Sequence, residues 1–178
     1  QMAARFAQEL DVVHGETIRA GSIEEGRRKL AELVEQSGWN GLGAVDRPLC
    51  RDLAAALAPG RVAWVAADWT PHQIAQLPAG LVAADYLVAD TGSCMIASPT
   101  ANDRLMCYLP PASIVVARTD QLFEHLPAVW QEVARRTADP EARGEFVFVT
   151  GPSRTADIEK ILILGVHGPK RLIVLLVG

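Results

Sequence analysis

Short apolar segments that read as strands alternate with segments of helical periodicity from Ser22 to the end of this chain. That alternation points to an α/β domain built on a mainly parallel sheet flanked by helices. Ser22-Ile23-Glu24-Glu25 reads as a capping box, in which the serine side chain accepts from the backbone N–H three residues on and Glu25 reaches back. Leu30, Leu33 and Val34 then recur on one helical face, and Gly38 stands where a left-handed cap would end a helix running to about Ser37. Gly41 to Val45 reads as a strand, Pro48 to Ala58 as a helix rich in Ala and Leu, and Arg61 to Ala66 as a strand after the Pro59-Gly60 break. A turn containing Pro71 leads into a short helix to Leu77, while the apolar stretch Leu81 to Asp90 fits either type of element.

Ser93 to Ser98 and Leu105 to Leu109 read as two strands joined by the turn-rich Pro99 to Asp103, an antiparallel hairpin added to the parallel sheet. Ser113 to Ala117 is a further strand, and Gln121 to Arg136 has helical periodicity through Leu122, Leu126, Val129, Trp130 and Val133. Phe146 to Thr150 is a compact apolar strand that runs through Gly151-Pro152-Ser153-Arg154 into a helix expected to begin near Thr155 or Ala156. Leu172 to Val177 forms the closing strand. Ahead of Ser22 the pattern is mixed, with a short helix around Ala4 to Leu10 and strand-like fragments near Val12 and Thr17.

The 178 residues suit one domain, and 49% apolar with 21% charged residues lies far from the composition of a disordered chain. Seventeen basic against 21 acidic residues give a net charge of −4, and Arg27-Arg28-Lys29 is the longest basic run, so a nucleic-acid groove is not expected. The longest strongly apolar run, Leu172 to Val177, falls far short of the ~20 residues that span a bilayer, so no membrane anchor is expected. Cys50, Cys94 and Cys107 are scattered and odd in number, which argues against a disulfide framework and for a reducing compartment, the cytoplasm.

Ligands in open α/β sheets collect at the carboxyl ends of strands, and Thr150 to Asp157 follows a strand in that way. Gly151 would let a ligand approach the backbone, Ser153 and Thr155 offer hydroxyls, and Arg154 offers a planar cation suited to carboxylate or phosphate. The alternative is that Thr155 or Ser153 is only a helix cap, with Asp157 and Glu159 complementing the helix dipole. Those two acids would place an anion on the Ser153-Arg154 side, or else hold Arg154 in position. His167, flanked by Gly165-Val166 and Gly168-Pro169, is a candidate acid or base, or a structural loop histidine. Thr91-Gly92-Ser93 is a second hydroxyl-rich turn; it either faces the first loop or is turn chemistry with Asp90 accepting backbone N–H groups.

Two near-matches carry little. Gly151-Pro152-Ser153-Arg154-Thr155 lacks the last glycine of a nucleophile elbow, and Gly41-Leu42-Gly43 lacks the third glycine of a dinucleotide fingerprint and falls inside a strand. With no Cys-x-x-Cys or His-Glu-x-x-His, the chain carries no metal or iron–sulfur motif, and redox chemistry would need a partner. Trp39, Trp64, Trp69 and Trp130 read as core or edge residues.

Gly151 to Glu159, then Gly165-Val166-His167-Gly168-Pro169 and the apolar last strand, resemble the signature of the lactate-utilisation protein C family, a LUD-type domain. Asp90-Thr91-Gly92-Ser93 and Leu109-Pro110 before Ser113-Ile114-Val115-Val116 are similar to its middle region, so the resemblance covers about Gly80 to Gly178. The first half is similar only loosely, Cys94 departs from the family pattern, and native members start further upstream, which fits a shortened N-terminus.

The resemblance implies one LUD-type domain over residues 1–178, with a fold like that of the sugar-phosphate isomerase and coenzyme A transferase group. It further implies a part in oxidising L-lactate to pyruvate beside two iron–sulfur proteins that hold the clusters, with no cofactor in this chain. Two readings follow. In one, the chain is an accessory subunit that binds a small carboxylate through Thr91, Gly92, Ser93, Gly151, Ser153, Arg154 and Thr155. In the other, it is an independent isomerase, transferase or hydrolase acting on a phosphosugar or thioester, with Ser153, Asp157 or His167 as acid, base or nucleophile. A role limited to holding partner subunits together is a third.

Overall fold

The computed structural model describes residues 1–138, 145–156, 162–164 and 168–178. In chain order its elements are α1 (Met2–Val12), β1 (Glu16–Ala20), α2 (Ile23–Gln36), β2 (Leu42–Ala44), α3 (Pro48–Ala54), β3 (Val62–Trp64), α4 (Pro71–Ala75), β4 (Gly80–Ala83), β5 (Tyr86–Val88), β6 (Ser93–Ser98), α5 (Ala101–Met106) and β7 (Ala112–Arg118). A 3-10 turn (Thr119–Gln121) follows, then β8 (Leu122–Phe123), α6 (Leu126–Thr137), β9 (Glu145–Val149), β10 (Arg154–Ala156), β11 (Leu162–Leu164) and β12 (Arg171–Val177).

Six strands form one sheet in the order β1-β12-β7-β4-β2-β3, and every pair in it is parallel. Strands in such a sheet are covered on both faces, so they carry unbroken apolar runs. β12 fits: Leu172 to Val177 are all buried, between β1 on one side and β7 on the other. Gly43, Gly80, Ser113 and Leu172 stand in one cross-strand row. On that face the segment after α4 and the end of α5 come in so close that a Cβ on Gly43 would collide with the Leu77 side chain, and one on Gly80 would lie 2.9 Å from the Met106 carbonyl. Val177, five residues on from Leu172, points to the other face, where a Cβ on Gly26 of α2 would meet it at 3.3 Å and Leu53 of α3 at 2.7 Å. Helices therefore cover both sides.

The helix ends follow their capping residues. Ser22 Oγ accepts from the Glu25 N–H at 3.1 Å, while the Glu25 carboxylate accepts from the N–H of Gly21, one residue before the cap, at 2.7 Å. Gly38 ends the α2 region at φ +68°. α4 has a complete capping box between Thr70 and Gln73.

A second sheet, β8-β5-β6-β9, carries antiparallel pairs β5 with β6 and β6 with β9, and β10 pairs with β11 in a separate antiparallel ribbon. The stretch Leu81 to Asp90, open in the sequence, divides at Ala84-Asp85 between β4 of the first sheet and β5 of the second.

Four expectations are corrected. The hairpin of Ser93 to Leu109 is not formed: β6 is a strand, but Thr100 caps α5 by accepting from the Asp103 N–H, and β6 takes its antiparallel partners from β5 and β9. No helix begins at Thr155 or Ala156, because Arg154 to Ala156 pair with the apolar run Leu162 to Leu164. The helix expected from Gln121 begins at Leu126, since Pro127 fits only a first helical turn, and Leu122-Phe123 instead pair with β5. Val12 belongs to α1 and not to a strand.

Candidate functional site

Antiparallel pairing of Cys94 with Val149 brings the start of β6 beside the end of β9. Ser93 and Thr150, which continue those strands, therefore meet across 57 residues of sequence, with 2.6 Å between their hydroxyl oxygens. Thr91 Oγ1 donates to Ser93 Oγ at 2.8 Å, so three hydroxyls form one chain. Thr91 and Thr150 are exposed, whereas Ser93 is only 6% exposed. The two hydroxyl-rich turns singled out in the sequence are thus neighbours.

Their glycines hold the turns against a neighbouring element. Gly92 has φ +63° and Gly151 φ +81°, a region costly for side-chain-bearing residues. A Cβ on Gly92 would stand 2.4 Å from the Leu10 backbone nitrogen, and one on Gly151 would stand 2.7 Å from the Val13 carbonyl oxygen. What approaches both backbones is the end of α1. Gly151 also lies in the wall of the cavity beside these turns.

Beside these turns lies a cavity of about 520 Å³, whose walls include Cys107, Tyr108, Phe148, Thr150, Ser153 and Gly168. The Ser153 N–H donates to the Pro169 carbonyl at 2.8 Å, and the Lys170 N–H to the Pro111 carbonyl at 2.8 Å, which ties the Ser153 loop to the entry of β12. The cavity therefore lies toward the amino end of the main sheet's β12, not beyond that sheet's carboxyl edge. Ser153 and Thr150 supply hydroxyls, and Tyr108, Phe148 and the prolines supply apolar wall, a mixture suited to a small ligand with acceptor oxygens.

Arg154 and Thr155 are placed by backbone in β10, so Thr155 is not a helix cap. Asp157, Glu159 and His167 lie outside the described residues, and with them the helix-dipole reading of the two acids.

The sequence reading missed a charged cluster at the opposite end of the main sheet. Asp85, directly after β4 and with its side chain only 8% exposed, accepts at Oδ1 from Arg47 (2.9 Å) and Arg136 (2.5 Å), and at Oδ2 from the Ala97 N–H (2.7 Å). A lone acid inside the apolar stretch Leu81 to Val88 was the available signal, but its arginines lie 38 and 51 residues away in sequence. The guanidinium of Arg136 also covers the ring of Phe146 at 5.7 Å.

All three cysteines are free and buried, and burial pushes the thiols of Cys50 and Cys107 up to about 12 and that of Cys94 up as well. Cluster and metal ligation needs thiolates, which this burial disfavours. Among the described residues no group of three or more His, Cys, Asp or Glu is arranged to hold a metal ion, and no helix is long and apolar enough to cross a membrane.

Fold and site together define an α/β protein with a six-stranded parallel sheet, an antiparallel sheet beside it and a hydroxyl-bearing cavity where the turns of the second sheet meet the entry of β12. The model of the LUD domain family matches residues 3–177, and the chain belongs to that family. The chain is 33% identical over 98 residues to Lactate utilization protein C of Bacillus pumilus, covering 54% of this chain and 41% of that protein. It is 33% identical over 97 residues to the protein of the same name from Halalkalibacterium halodurans, covering 54% and 42%. The matched region thus spans about two fifths of the length of these relatives. The fold is similar to the crystal structure of a DUF162 family protein from Deinococcus radiodurans, with a TM-score of 0.75, 20% identity and coverage of 99% of this chain and 96% of that one.

Proposed function

We propose that this chain is a carboxylate-binding subunit of a cytoplasmic system that oxidises L-lactate to pyruvate, working beside iron–sulfur proteins that carry the electrons. The observation that carries the reading is the meeting of Ser93 with Thr150 at 2.6 Å on the edge of a cavity that also holds Ser153. Thr150 and Ser153 here offer hydroxyls to one space, with Ser93 bonded behind Thr150, and a small hydroxy acid or keto acid has the acceptor oxygens to use them. The relatives named Lactate utilization protein C supply the substrate class.

Within this proposal Arg154 grips the carboxylate by a charge-assisted fork, Ser153 and Thr155 supply hydroxyls, Thr91 and Ser93 contribute theirs through the hydrogen-bonded chain to Thr150, and Gly92 and Gly151 hold the two turns against α1. Ser153, Asp157 and His167 are the acid–base candidates. The chain itself brings no cofactor, and the electrons pass to clusters in the partner proteins.

The test is L-lactate-dependent dye reduction by the purified iron–sulfur partners with this chain, without it, and by this chain alone. Reduction in the complete mixture only is the expected result, with loss of activity in Arg154→Ala. Equal reduction without the chain overturns the proposal.

A further inference from the structure

We infer that Thr150 is the hydroxyl that donates to the ligand in the cavity, its proton turned that way by a one-directional chain of hydrogen bonds that starts at Thr91. The inference rests on the carboxylate-binding reading above and assigns that site a residue which the sequence reading left out of its binding set.

The direction follows from counting protons. A serine or threonine hydroxyl has one proton to donate and two lone pairs with which to accept. Thr91 Oγ1 donates to Ser93 Oγ at 2.8 Å, and Ser93 Oγ lies 2.6 Å from Thr150 Oγ1. Were Thr150 the donor in this second bond, Ser93 would accept twice, and its own proton would lack an acceptor among the described residues at a position only 6% exposed. A buried donor left without a partner costs more than a typical hydrogen bond returns. Ser93 therefore donates to Thr150, and the proton of Thr150 is left for a partner beyond the chain of three.

Thr150 is exposed and lines the cavity. Each hydroxyl that accepts a bond becomes a better donor in the next one, so the relay strengthens the last donor. It presents the cavity with a donor suited to a carboxylate or carbonyl oxygen. Thr91 and Ser93 are then positioning residues that act through Thr150.

The test measures binding of pyruvate and of L-lactate to the full chain by calorimetry, for the native protein, Thr150→Val, Thr150→Ser, Thr91→Val and Ser153→Ala. Thr150→Val is expected to weaken pyruvate binding by roughly tenfold to a hundredfold, the range for losing a hydrogen bond to a charged group. Thr150→Ser, which keeps the hydroxyl, is expected to bind within a few-fold of the native protein. Thr91→Val leaves Thr150 intact but removes the first bond of the relay and so weakens Thr150 as a donor, and a smaller loss of several-fold is expected. Native-like affinity in Thr150→Val while Ser153→Ala loses binding overturns this inference and leaves the carboxylate reading standing. Absence of pyruvate and lactate binding by the native chain overturns both. Should Thr150→Val fail to fold, native-like affinity in Thr91→Val is the result that overturns the relay.

Discussion

Gly92 packs against Leu10 so closely that a Cβ on the glycine would stand 2.4 Å from the Leu10 backbone nitrogen and 2.7 Å from its Cα. Leu10 is itself fully buried near the end of α1, and Val13 makes the equivalent contact with Gly151. The first helix is thereby the surface on which both turns of the candidate site rest. A chain segment with no chemistry of its own determines where Thr91, Ser93 and Thr150 stand relative to the cavity.

Gly92→Ala is expected to destabilise the protein by about 3 kcal/mol or more, because the new Cβ meets a positive φ and helix backbone at once. Gly38→Ala is the control: its φ is also positive, at +68°, but nothing lies within 4 Å of the added carbon, so about 1 kcal/mol is expected. Chemical denaturation of the two variants checks this. Equal losses would mean that backbone conformation alone, and not the contact with Leu10, makes residue 92 a glycine.

Asp85 is the joint between the two sheets, with two guanidinium groups and the Ala97 N–H on one carboxylate. Asp85→Ala removes all of these and leaves two cations close together without their counter-charge, an expected loss of about 3 kcal/mol. Arg47→Met or Arg136→Met leaves the other arginine to balance the carboxylate, and each is expected to cost about half as much. Urea denaturation of the three variants at neutral pH measures the ranking. A single arginine variant that matches Asp85→Ala would show that the carboxylate depends on one partner alone.

The parallel sheet was legible because its strands are short apolar runs separated by capped or proline-led helices, as at Ser22, Pro48 and Pro71. The errors share a cause. Leu105 to Leu109 and the residues after Ser153 have apolar content that fits either strand or helix, and context decided them: Thr100 caps a helix that takes up Leu105 and Met106 and ends in a turn, while Leu162 to Leu164 draw Arg154 to Ala156 into a strand. The two site turns could be picked out by their hydroxyls and glycines. Their meeting, through the pairing of Cys94 with Val149, could not, since nothing local in either turn encodes a partner more than fifty residues away. The same holds for the arginines on Asp85. The packing of Gly92 and Gly151 was hidden for a related reason: a glycine shows that something comes close, and only the fold shows that α1 does.

Glu16 and Arg171 join β1 to β12 by a two-pronged pair, with nitrogen–oxygen distances of 2.6 and 2.8 Å. The hydrogen bonds from Arg171 hold the Glu16 carboxyl below its ordinary value of 4.5 in the folded protein. The unfolded chain therefore takes up the proton more readily. The pair's contribution is fully present above the ordinary carboxylate range and is lost as pH falls through the lowered folded value. Because both side chains are partly exposed, the contribution is at most about 1 kcal/mol. The stability gap between the native protein and Glu16→Gln is expected to shrink toward zero between neutral pH and pH values below 4.5, as read by denaturation at each pH. A gap that persists in acid would show that the loss comes from packing and not from charge.

Burial holds the thiols of Cys50 and Cys107 up to about 12 and raises that of Cys94 too, so at mildly alkaline pH all three remain protonated and enclosed. The thiolate is the reactive form, and reagent must also reach it. An aromatic disulfide reagent at mildly alkaline pH is therefore expected to leave the folded protein unmodified over minutes and to titrate all three thiols once denaturant is added. Cys107 gives the sharper reading, because it contributes to the cavity wall beside Thr150 and Ser153. Modification of Cys107 alone in the folded state, slowed by added pyruvate, would show that the cavity opens deeply enough to expose this thiol. Labelling of all three in step with unfolding would show that the walls stay closed.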